Sequence, residues 1–361
     1  MSYRVPPEPG GMERHVERLT REQIAAGHQV SLAFRHGACV PGGAARIPLR
    51  PSAASRVMAT VSDRLAFATQ AAQALRTVPG GPRGVDLVHL HGDHVEALVL
   101  GPACWRTGVP LFVTVHATLS ERHRRLARHA FRYAAGFVAL GGATAADLMA
   151  RGVEARRILV MSSGLDLSRM PPPVPASARE PGLIVSVGTL NPMKGHALLI
   201  TAFHRLSRDR PGLRLVIAGD GPERDRLALL AAAGPGVTLS GALPQEEVYD
   251  LVGRAQLFVL ASRRLAGKGE GVPTAALEAL ALGTPVIVSS HATLDPVVTN
   301  PMAYRVFASG SAAGLMAAVA KTLDHPSARE RMGALGRQAA EALDWPRVAR
   351  RVEDWYETCL R

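Results

Sequence analysis

The segment Glu270-Gly-Val-Pro-Thr-Ala-Ala-Leu-Glu278 continues as Ala-Leu-Ala-Leu-Gly-Thr-Pro-Val-Ile-Val-Ser289, and the pattern predicts a loop, a helix and a buried strand in succession. Pro273 suits the first turn of a helix, where its missing N–H costs nothing, and Gly283 ends the helix. The free N–H groups at the helix start form a seat for a phosphate or a sugar oxygen. Two carboxylates flank this seat, one in the loop and one in the helix, and such groups can hold hydroxyls.

The same alternation of short β-branched runs and longer helical patterns extends along all 361 residues. This pattern predicts the α/β class with doubly wound parallel sheets, and the length exceeds what one hydrophobic core usually supports. The strand candidates fall into two sets, 30–34, 86–90, 111–115, 137–140 and 158–161, then 183–187, 213–218, 237–239, 257–260 and 285–288.

A proline run, Met170-Pro-Pro-Pro-Val-Pro175, separates the two sets of strands and excludes both helix and central strand. We therefore predict Rossmann-like domains over 1–170 and 176–344 that face each other across a cleft, with ligands at the carboxyl ends of the strands. Only Met-Ser-Tyr-Arg-Val precedes the first proline-rich loop, so the first strand is predicted to be truncated. Either translation begins upstream, or the domain has lost most of a central strand.

The formal charge of +12 is spread over many arginines, and only three of the 42 basic residues are lysine. No basic run is interleaved with aromatic residues, so nucleic acid is not an expected partner. The basic stretch 121–133 has two readings, a helix lying on anionic lipid or a solvated surface helix.

No apolar run is long enough to span a membrane, and the N-terminal residues lack the charged-then-apolar pattern of a signal peptide. We therefore expect a cytoplasmic protein, and peripheral attachment to the inner membrane face stays open. The cysteines at 39, 104 and 359 lack metal-ligand spacing and are expected to be reduced and structural.

The segment from Val185 to Gly195 is a second candidate for binding a ligand. A buried strand ends there at Gly188, and Lys194 lies at the start of a helix. A diphosphate needs a cation and free amide donors, and this loop offers both. Gly219-Asp220-Gly221 follows the next strand and either lines a base pocket or forms a structural turn.

The first half contributes weaker signals. Gly10-Gly11 stands before a helix, where glycine lets a ligand approach the backbone or simply makes a tight turn. His116 ends a strand candidate, which favours function over a satisfied structural role. A triplet of histidines near Asp93 invites a metal interpretation, but no matching fourth ligand is evident and we expect no metal site. These histidines are His89, His91 and His94.

Together these motifs resemble the retaining glycosyltransferases of family four, which have the GT-B fold, and the resemblance covers nearly the whole chain. The helix from Trp345 to Tyr356 is similar to the family's last helix, which crosses back onto the first domain, so 345–361 is assigned to it. The matching motifs are Gly10-Gly11-x-Glu13-Arg14, Gly27-His28-x-Val30, His116, Val187-Gly188, Lys194-Gly195, Gly219-Asp220-Gly221-Pro222-Glu223, Glu270-x7-Glu278 and Gly283-x-Pro285-Val286.

The resemblance implies transfer of a sugar from a UDP- or GDP-linked donor to a hydroxyl of a glycolipid, a polysaccharide precursor or a small molecule. Retention at the anomeric carbon and independence from metal and other cofactors are also implied. The leaving phosphate is expected to take the acceptor's proton, so the enzyme mainly stabilises departing charge.

The resemblance also implies roles for individual residues. Lys194 holds the diphosphate, Glu270 binds donor sugar hydroxyls, Glu278 binds the ribose, Gly11 lies against the phosphate and His116 contacts the sugar near the reacting carbon. The implied catalytic residues are His116, Glu270 and Lys194. The implied donor-binding residues are Gly11, Gly188, Thr189, Lys194, Gly219, Gly221, Glu270, Gly271, Val272, Pro273, Thr274 and Glu278.

Three positions depart from the family pattern. Thr189 stands where the family usually has an arginine, and Arg263, Arg264 or Lys268 could replace that charge. Ser163 lies where the family usually has an asparagine. His291-Ala292-Thr293 lies where the family often has a Gly-Gly pair, in a loop that normally touches the donor.

Two other functions stay open at this point. A glycoside hydrolase could use Glu270 and Glu278 as its carboxylate pair. A sugar-nucleotide-binding subunit without turnover would account for Thr189 and the short first strand.

Overall fold

Apolar runs and amphipathic helices alternate along the chain and build two α/β units. The structure is a computed structural model, and it describes residues 1–7, 11–78, 80–117, 119, 123–265 and 270–361. Unit 1 comprises Met1–Gly164 with Trp345–Arg361, and unit 2 comprises Leu165–Asp344. The predicted fold class, two Rossmann-like parallel-sheet units, is confirmed.

Unit 1 contains one large parallel sheet whose inner strands read as continuous apolar runs, because both of their faces are buried. Its strands are β1 (Ser2–Arg4), β2 (Ser31–Leu32), β3 (Phe34–His36), β4 (Ala45–Arg46), β5 (Val88–His91), β6 (Leu111–Val115), β7 (Gly136–Leu140) and β8 (Ile158–Met161). The sheet order is β3-β1-β5-β6-β7-β8, and β2 pairs with β4 separately. The three-residue strand β1 thus lies inside the sheet.

The helices of unit 1 begin and end where local chemistry dictates. In the fourth helix, for example, Asp93 and Glu96 form a capping box at the start, and Gly108 ends the helix in the left-handed conformation at φ +73°. The helices are α1 (Gly11–Ala25), α2 (Ala53–Ala59), α3 (Asp63–Ala74), α4 (His94–Thr107), α5 (Arg124–Phe131) and α6 (Gly142–Met149), with 3-10 turns at Gly81–Gly84 and Ala155–Arg157.

Unit 2 has a second parallel sheet of six strands. They are β9 (Glu180–Val187), β10 (Arg214–Ala218), β11 (Val237–Gly241), β12 (Ala255–Leu260), β13 (Val286–Ser289) and β14 (Arg305–Phe307). Their order, β11-β10-β9-β12-β13-β14, is the 3-2-1-4-5-6 order of a Rossmann sheet. The chain therefore reverses direction across the sheet between β9 and β12, which is where such sheets bind ligands.

Buried aliphatic side chains on both faces of this sheet pack against the helices of unit 2. The helices are α7 (His196–Asp209), α8 (Arg224–Ala232), α9 (Gln245–Arg254), α10 (Thr274–Ala281), α11 (Ala312–Leu323) and α12 (Pro326–Glu341), with 3-10 turns at Leu167–Arg169, Ala176–Ala178 and Pro192–Lys194.

The last helix, α13 (Trp345–Leu360), belongs to unit 1 and contacts α1 and β7. Its apolar face buries Trp345, Val348, Val352 and Tyr356 against residues of the unit 1 sheet such as Phe112. None of the helices in the described ranges combines the length and apolarity needed to cross a bilayer.

Two boundaries differ from those read from the sequence. The predicted strand 30–34 is wrong as a single element, because Ser31–Leu32 pairs with β4 while Phe34–His36 joins the main sheet. The first domain was predicted to reach residue 170, but residues from Leu165 onward belong to unit 2. Leu165 donates its N–H to Leu343 O at 2.7 Å, which ties this segment to the end of unit 2.

Candidate functional site

The loop after β9 is held in one conformation by its own side chains and glycines. The Asn191 side-chain oxygen accepts the N–H groups of Met193 at 3.0 Å and Lys194 at 3.2 Å, which closes the 3-10 turn. Gly195 follows at φ +68°, and a Cβ there would collide with Ala261 O at the end of β12. Only glycine fits this position, so the turn that carries Lys194 is fixed between the ends of β9 and β12.

Lys194 and Glu270 form an ion pair at this edge of the sheet. The Lys194 Nζ donates to Glu270 Oε1, and the two side chains are 16% and 8% exposed. The Lys194 side chain passes over Gly188, whose missing Cβ would lie 3.3 Å from Lys194 Cε. The fold thus brings together two predicted site residues that are 76 positions apart in the chain.

The second oxygen of Glu270 has no hydrogen-bond partner in the described part of the chain. Glu270 Oε2 is buried, and among the described residues no donor lies within hydrogen-bond distance of it. A buried acceptor without a donor costs about 1–3 kcal/mol. An oxygen of this kind, next to a loop end, can accept a hydroxyl from a ligand.

The helix start after Glu270 differs slightly from the predicted one. Pro273 is the N-cap residue and not the first helical residue, and its carbonyl accepts the N–H of Ala276 at 3.0 Å. The first N–H groups of α10 have no acceptor within the helix and are available to an anion. One turn further on, Gln245 Nε2 donates to Glu278 Oε1 at 3.4 Å.

The glycine turn after β10 packs directly on the Lys194 loop. Leu190 donates its N–H to Asp220 O, and Glu223 donates its N–H to Leu190 O, both at 2.9 Å. Gly219 has φ +148°, and a Cβ on it would collide with Gly188 O. The structural reading of this turn is therefore correct, and its contact with a nucleotide base stays a prediction.

The predicted donor-binding residues of unit 2 thus gather at the carboxyl ends of β9, β10 and β12. This set comprises Gly188, Thr189, Lys194, Gly219, Gly221, Glu270, Gly271, Val272, Pro273, Thr274 and Glu278. Thr189 is exposed at the start of its loop. Of the proposed replacements for the arginine, Lys268 lies outside the described residues.

Unit 1 contains the other two predicted site residues. Gly11 begins α1 and is exposed, and its neighbour Gly10 lies outside the described residues. His116 directly follows β6, as predicted, and its Nε2 lies 3.3 Å from His91 Nδ1. The His15 ring lies 5.1 Å from the His116 ring, centroid to centroid, and His15 Nδ1 lies 2.9 Å from Ser163 Oγ.

The sequence reading missed His15 and His91 as neighbours of His116. From the sequence, His91 was considered only as a metal ligand. Its position at the end of β5 could have predicted its contact with His116, because β5 and β6 are parallel neighbours and their ends lie at the same edge of the sheet. His15 lies on the buried face of α1 together with Val16 and Leu19, and the helical spacing alone could not point it at His116.

Burial controls the charge of this histidine cluster, which we define as His15, His89, His91 and His116. Desolvation lowers the pKa of His15 to about 4, and it lowers the pKa values of the other three imidazoles well below 6.5, helped by repulsion between neighbouring rings. His89 Nδ1 also lies 2.6 Å from Tyr356 Oη. At neutral pH the cluster is uncharged.

The metal interpretation of His94 and Asp93 has no geometric support. Asp93 caps α4 and His94 is the first residue of that helix. Within the described ranges, no group of three or more histidine, cysteine or acidic side chains is arranged to hold a metal ion. The three cysteines are free thiols.

Two family descriptions match this chain, one for each unit. "Glycosyltransferase Family 4" matches residues 9–169, and "Glycosyl transferases group 1" matches residues 172–339. The chain belongs to glycosyltransferase family four. Its assignment to the GT-B fold is likewise confirmed.

Relatives and solved structures of this glycosyltransferase agree with that assignment. The chain is 29% identical to the glycogen synthase of Mycobacterium tuberculosis over 100% of its own length and 94% of the relative's. The chain is also 30% identical, over 51% of its own length and 51% of the relative's, to the "GDP-mannose-dependent monoacylated alpha-(1-6)-phosphatidylinositol monomannoside mannosyltransferase" of Corynebacterium glutamicum. The crystal structure of Anabaena HepE in complex with UDP shares the fold with a TM-score of 0.75 at 15% identity, over 99% of both chains.

Proposed function

We propose that this glycosyltransferase moves a sugar from a UDP- or GDP-linked donor to a hydroxyl acceptor, with retention and without a metal. The observation that carries the proposal is the half-buried Lys194–Glu270 pair, placed before the first N–H groups of α10, with a Glu270 oxygen that has no donor among the described residues. The pair offers a cation for a phosphate and an acceptor for a sugar hydroxyl in one place, at the point where a Rossmann sheet binds nucleotides.

Each residue then has a defined task. Lys194 and the α10 N–H groups stabilise the negative charge that develops on the departing diphosphate. Glu270 orients the donor sugar through its free oxygen, and Glu278 accepts a ribose hydroxyl. His116 is half-buried, and desolvation with the neighbouring His15 and His89 rings lowers its pKa well below 6.5, so it is neutral. It donates or accepts a hydrogen bond to the sugar, and the departing phosphate takes the acceptor's proton.

A hydrolytic role for the two glutamates has less support. A hydrolase of that kind needs one protonated carboxyl group as its acid. Glu270 instead accepts a hydrogen bond from the Lys194 ammonium, so one of its oxygens is already engaged by a cation and is not placed to donate a proton to a leaving group.

The donor nucleotide is proposed from the names of relatives. HepE was crystallised with UDP, and the corynebacterial mannosyltransferase is described as GDP-mannose-dependent. The acceptor is proposed to be a growing polysaccharide or a glycolipid, since one relative is a glycogen synthase and the other acts on a phosphatidylinositol mannoside.

An anionic membrane surface is a further proposed partner of unit 1. Helix α5 exposes Arg124, Arg125 and Arg128 and also Leu126, which is 45% exposed, and no acidic residue lies in this helix. Arginines with an apolar residue between them suit the headgroup region of anionic lipid. The cytoplasmic location expected from the sequence, with attachment to the inner membrane face, stays a prediction.

Vesicle co-sedimentation tests the membrane part. The chain should sediment with phosphatidylcholine vesicles only when phosphatidylglycerol is added, and the double variant Arg125→Ala/Arg128→Ala should lose this binding. Arg350→Ala/Arg351→Ala, which removes two exposed charges from α13, is the matched control. Equal sedimentation with and without anionic lipid would remove this partner.

A transfer assay tests the function itself. Purified chain is incubated with UDP-glucose or GDP-mannose and with glycogen or a phosphatidylinositol mannoside, and nucleotide release and the anomeric configuration of the product are followed by NMR. We expect nucleotide release coupled to a product with the donor's anomeric configuration, unaffected by EDTA. An inverted product would contradict retention, and nucleotide binding without any release would favour the non-catalytic subunit.

A further inference from the structure

The proposed role of Lys194 leaves a shortage of positive charge in unit 2. Its ammonium donates to Glu270, so the two charges cancel. A nucleoside diphosphate carries more than one negative charge, and phosphate oxygens are held best by ionised donors. One ammonium paired with a carboxylate does not balance that charge, so a second cation at the same turn would strengthen diphosphate binding.

Arg263 lies at this turn. It follows the end of β12, which is the neighbour of β9 in the sheet. Its main-chain N–H donates to Met193 O at 2.7 Å, and its side-chain Nε donates to Pro192 O at 2.8 Å. Both acceptors belong to the 3-10 turn that ends with Lys194, so the exposed guanidinium is held beside that residue.

Two other arginines, on α8, are paired with acidic side chains of the neighbouring glycine turn. Arg224 Nη1 donates to Asp220 Oδ2 at 3.0 Å, and Arg226 donates to Glu223. The main-chain N–H of Arg264 donates to His291 Nδ1 at 3.0 Å, in the loop after β13. Arg263, by contrast, donates its side-chain Nε to a carbonyl of the Lys194 turn.

We propose that Arg263 is the second diphosphate-binding cation of this chain and supplies the charge that Thr189 lacks. The inference rests on the proposed donor site. With Nε bonded to Pro192 O, the two Nη groups form a fork that fits two phosphate oxygens. The uncharged Thr189 side chain offers at most one hydroxyl.

Calorimetric titration of Arg263 variants tests this role, with UDP, GDP, UMP and GMP as probes. Arg263→Gln keeps an N–H for Pro192 O but loses the charge, so the Kd of the preferred diphosphate should rise about ten- to a hundredfold. The Kd of the matching monophosphate should rise less, and Arg263→Lys should keep most of the affinity. Arg208→Gln, at the far end of α7 and about 18 Å from its start, should bind like the wild type.

A double variant separates direct contact from positioning. If Arg263 contacts phosphate, Arg263→Gln in a Lys194→Ala background should weaken diphosphate binding further. No further loss there, or an unchanged diphosphate Kd in Arg263→Gln alone, would overturn the inference while leaving the donor site intact. Failure of the wild type to bind any of the four nucleotides would overturn the donor site and this inference with it.

Discussion

The two sheets carry different kinds of polar group at their carboxyl ends. In unit 2 the Lys194–Glu270 pair is charged and has a free acceptor, and the surrounding loops are fixed by glycines and carbonyl contacts. In unit 1 the histidine cluster is mutually packed and neutral, with His15 and His91 buried and His89 and His116 half-buried. The strand ends of unit 2 thus carry a charged pair, whereas those of unit 1 carry neutral hydrogen-bonding groups.

Removing either charge of unit 2 should have the largest effect. Lys194→Ala and Glu270→Ala should each lower kcat/KM for transfer about a hundredfold or more, equivalent to roughly 3 kcal/mol of transition-state stabilisation. Initial rates at subsaturating donor measure this. Thermal unfolding of each variant serves as the fold control, and near-normal turnover in a folded variant would refute the assignment.

Acid should destabilise unit 1 through the histidine cluster. In the folded chain the pKa values of these histidines lie below their value of about 6.5 in the unfolded chain. Below pH 6.5 the unfolded chain therefore binds more protons than the folded chain. The contribution of these neutral histidines to the free energy of unfolding is therefore fully present above pH 6.5. It falls as the pH drops towards 4, by about 1.4 kcal/mol per pH unit for each histidine involved.

The tryptophans make this change in unit 1 measurable, because all three of them, Trp105, Trp345 and Trp355, lie there. Urea unfolding followed by tryptophan fluorescence at pH 7.5 and pH 5.5 gives the difference in stability. His91→Asn should flatten the pH dependence, whereas His129→Gln, at an exposed position on α5, should not. A pH-independent midpoint in the wild type would show that the cluster is not neutral in the folded state.

Gly219→Ala should destabilise unit 2 by about 1–3 kcal/mol, because its φ disfavours a side chain and the new Cβ would displace Gly188 O. The same change at Gly42 meets no atom within 4 Å and is the matched control. Differential scanning calorimetry would detect the lower Tm. An unchanged Tm would mean that the two loops are not packed together as described.

Asn191→Ala should have the smallest effect, about 1 kcal/mol of stability, since it removes the side-chain cap of the Lys194 turn. Diphosphate affinity should fall with it, because Lys194 would be held less firmly. Asn191→Asp keeps the accepting oxygen and should restore the stability. Equal losses for both variants would exclude capping as the cause.

The elements that the sequence predicted best, in both units, share a physical reason. In unit 1, strands β6 and β8 coincide with their predicted limits. In unit 2, the Lys194 turn follows the end of β9 as its glycines and lysine predicted, and α10 begins one residue after Pro273. These features depend on local chemistry that a sequence displays directly.

Features that depend on contacts between distant parts of the chain could not be predicted from the sequence. The split of 30–34 depends on which strand each half pairs with, and β14, three residues long, is recognisable only by its pairing with β13. The contact of His15 with His116 likewise joins a helix face to a strand end 101 residues away.

Calorimetric comparison of UDP with UDP-glucose, or of GDP with GDP-mannose, tests the central claim about the Lys194–Glu270 pair most directly. If Glu270 binds the donor sugar, Glu270→Gln should bind the free nucleotide at least as tightly as the wild type, because Lys194 is released, and should lose affinity for the sugar nucleotide. Lys194→Ala should weaken both ligands. Equal weakening of nucleotide and sugar nucleotide in Glu270→Gln would contradict the account.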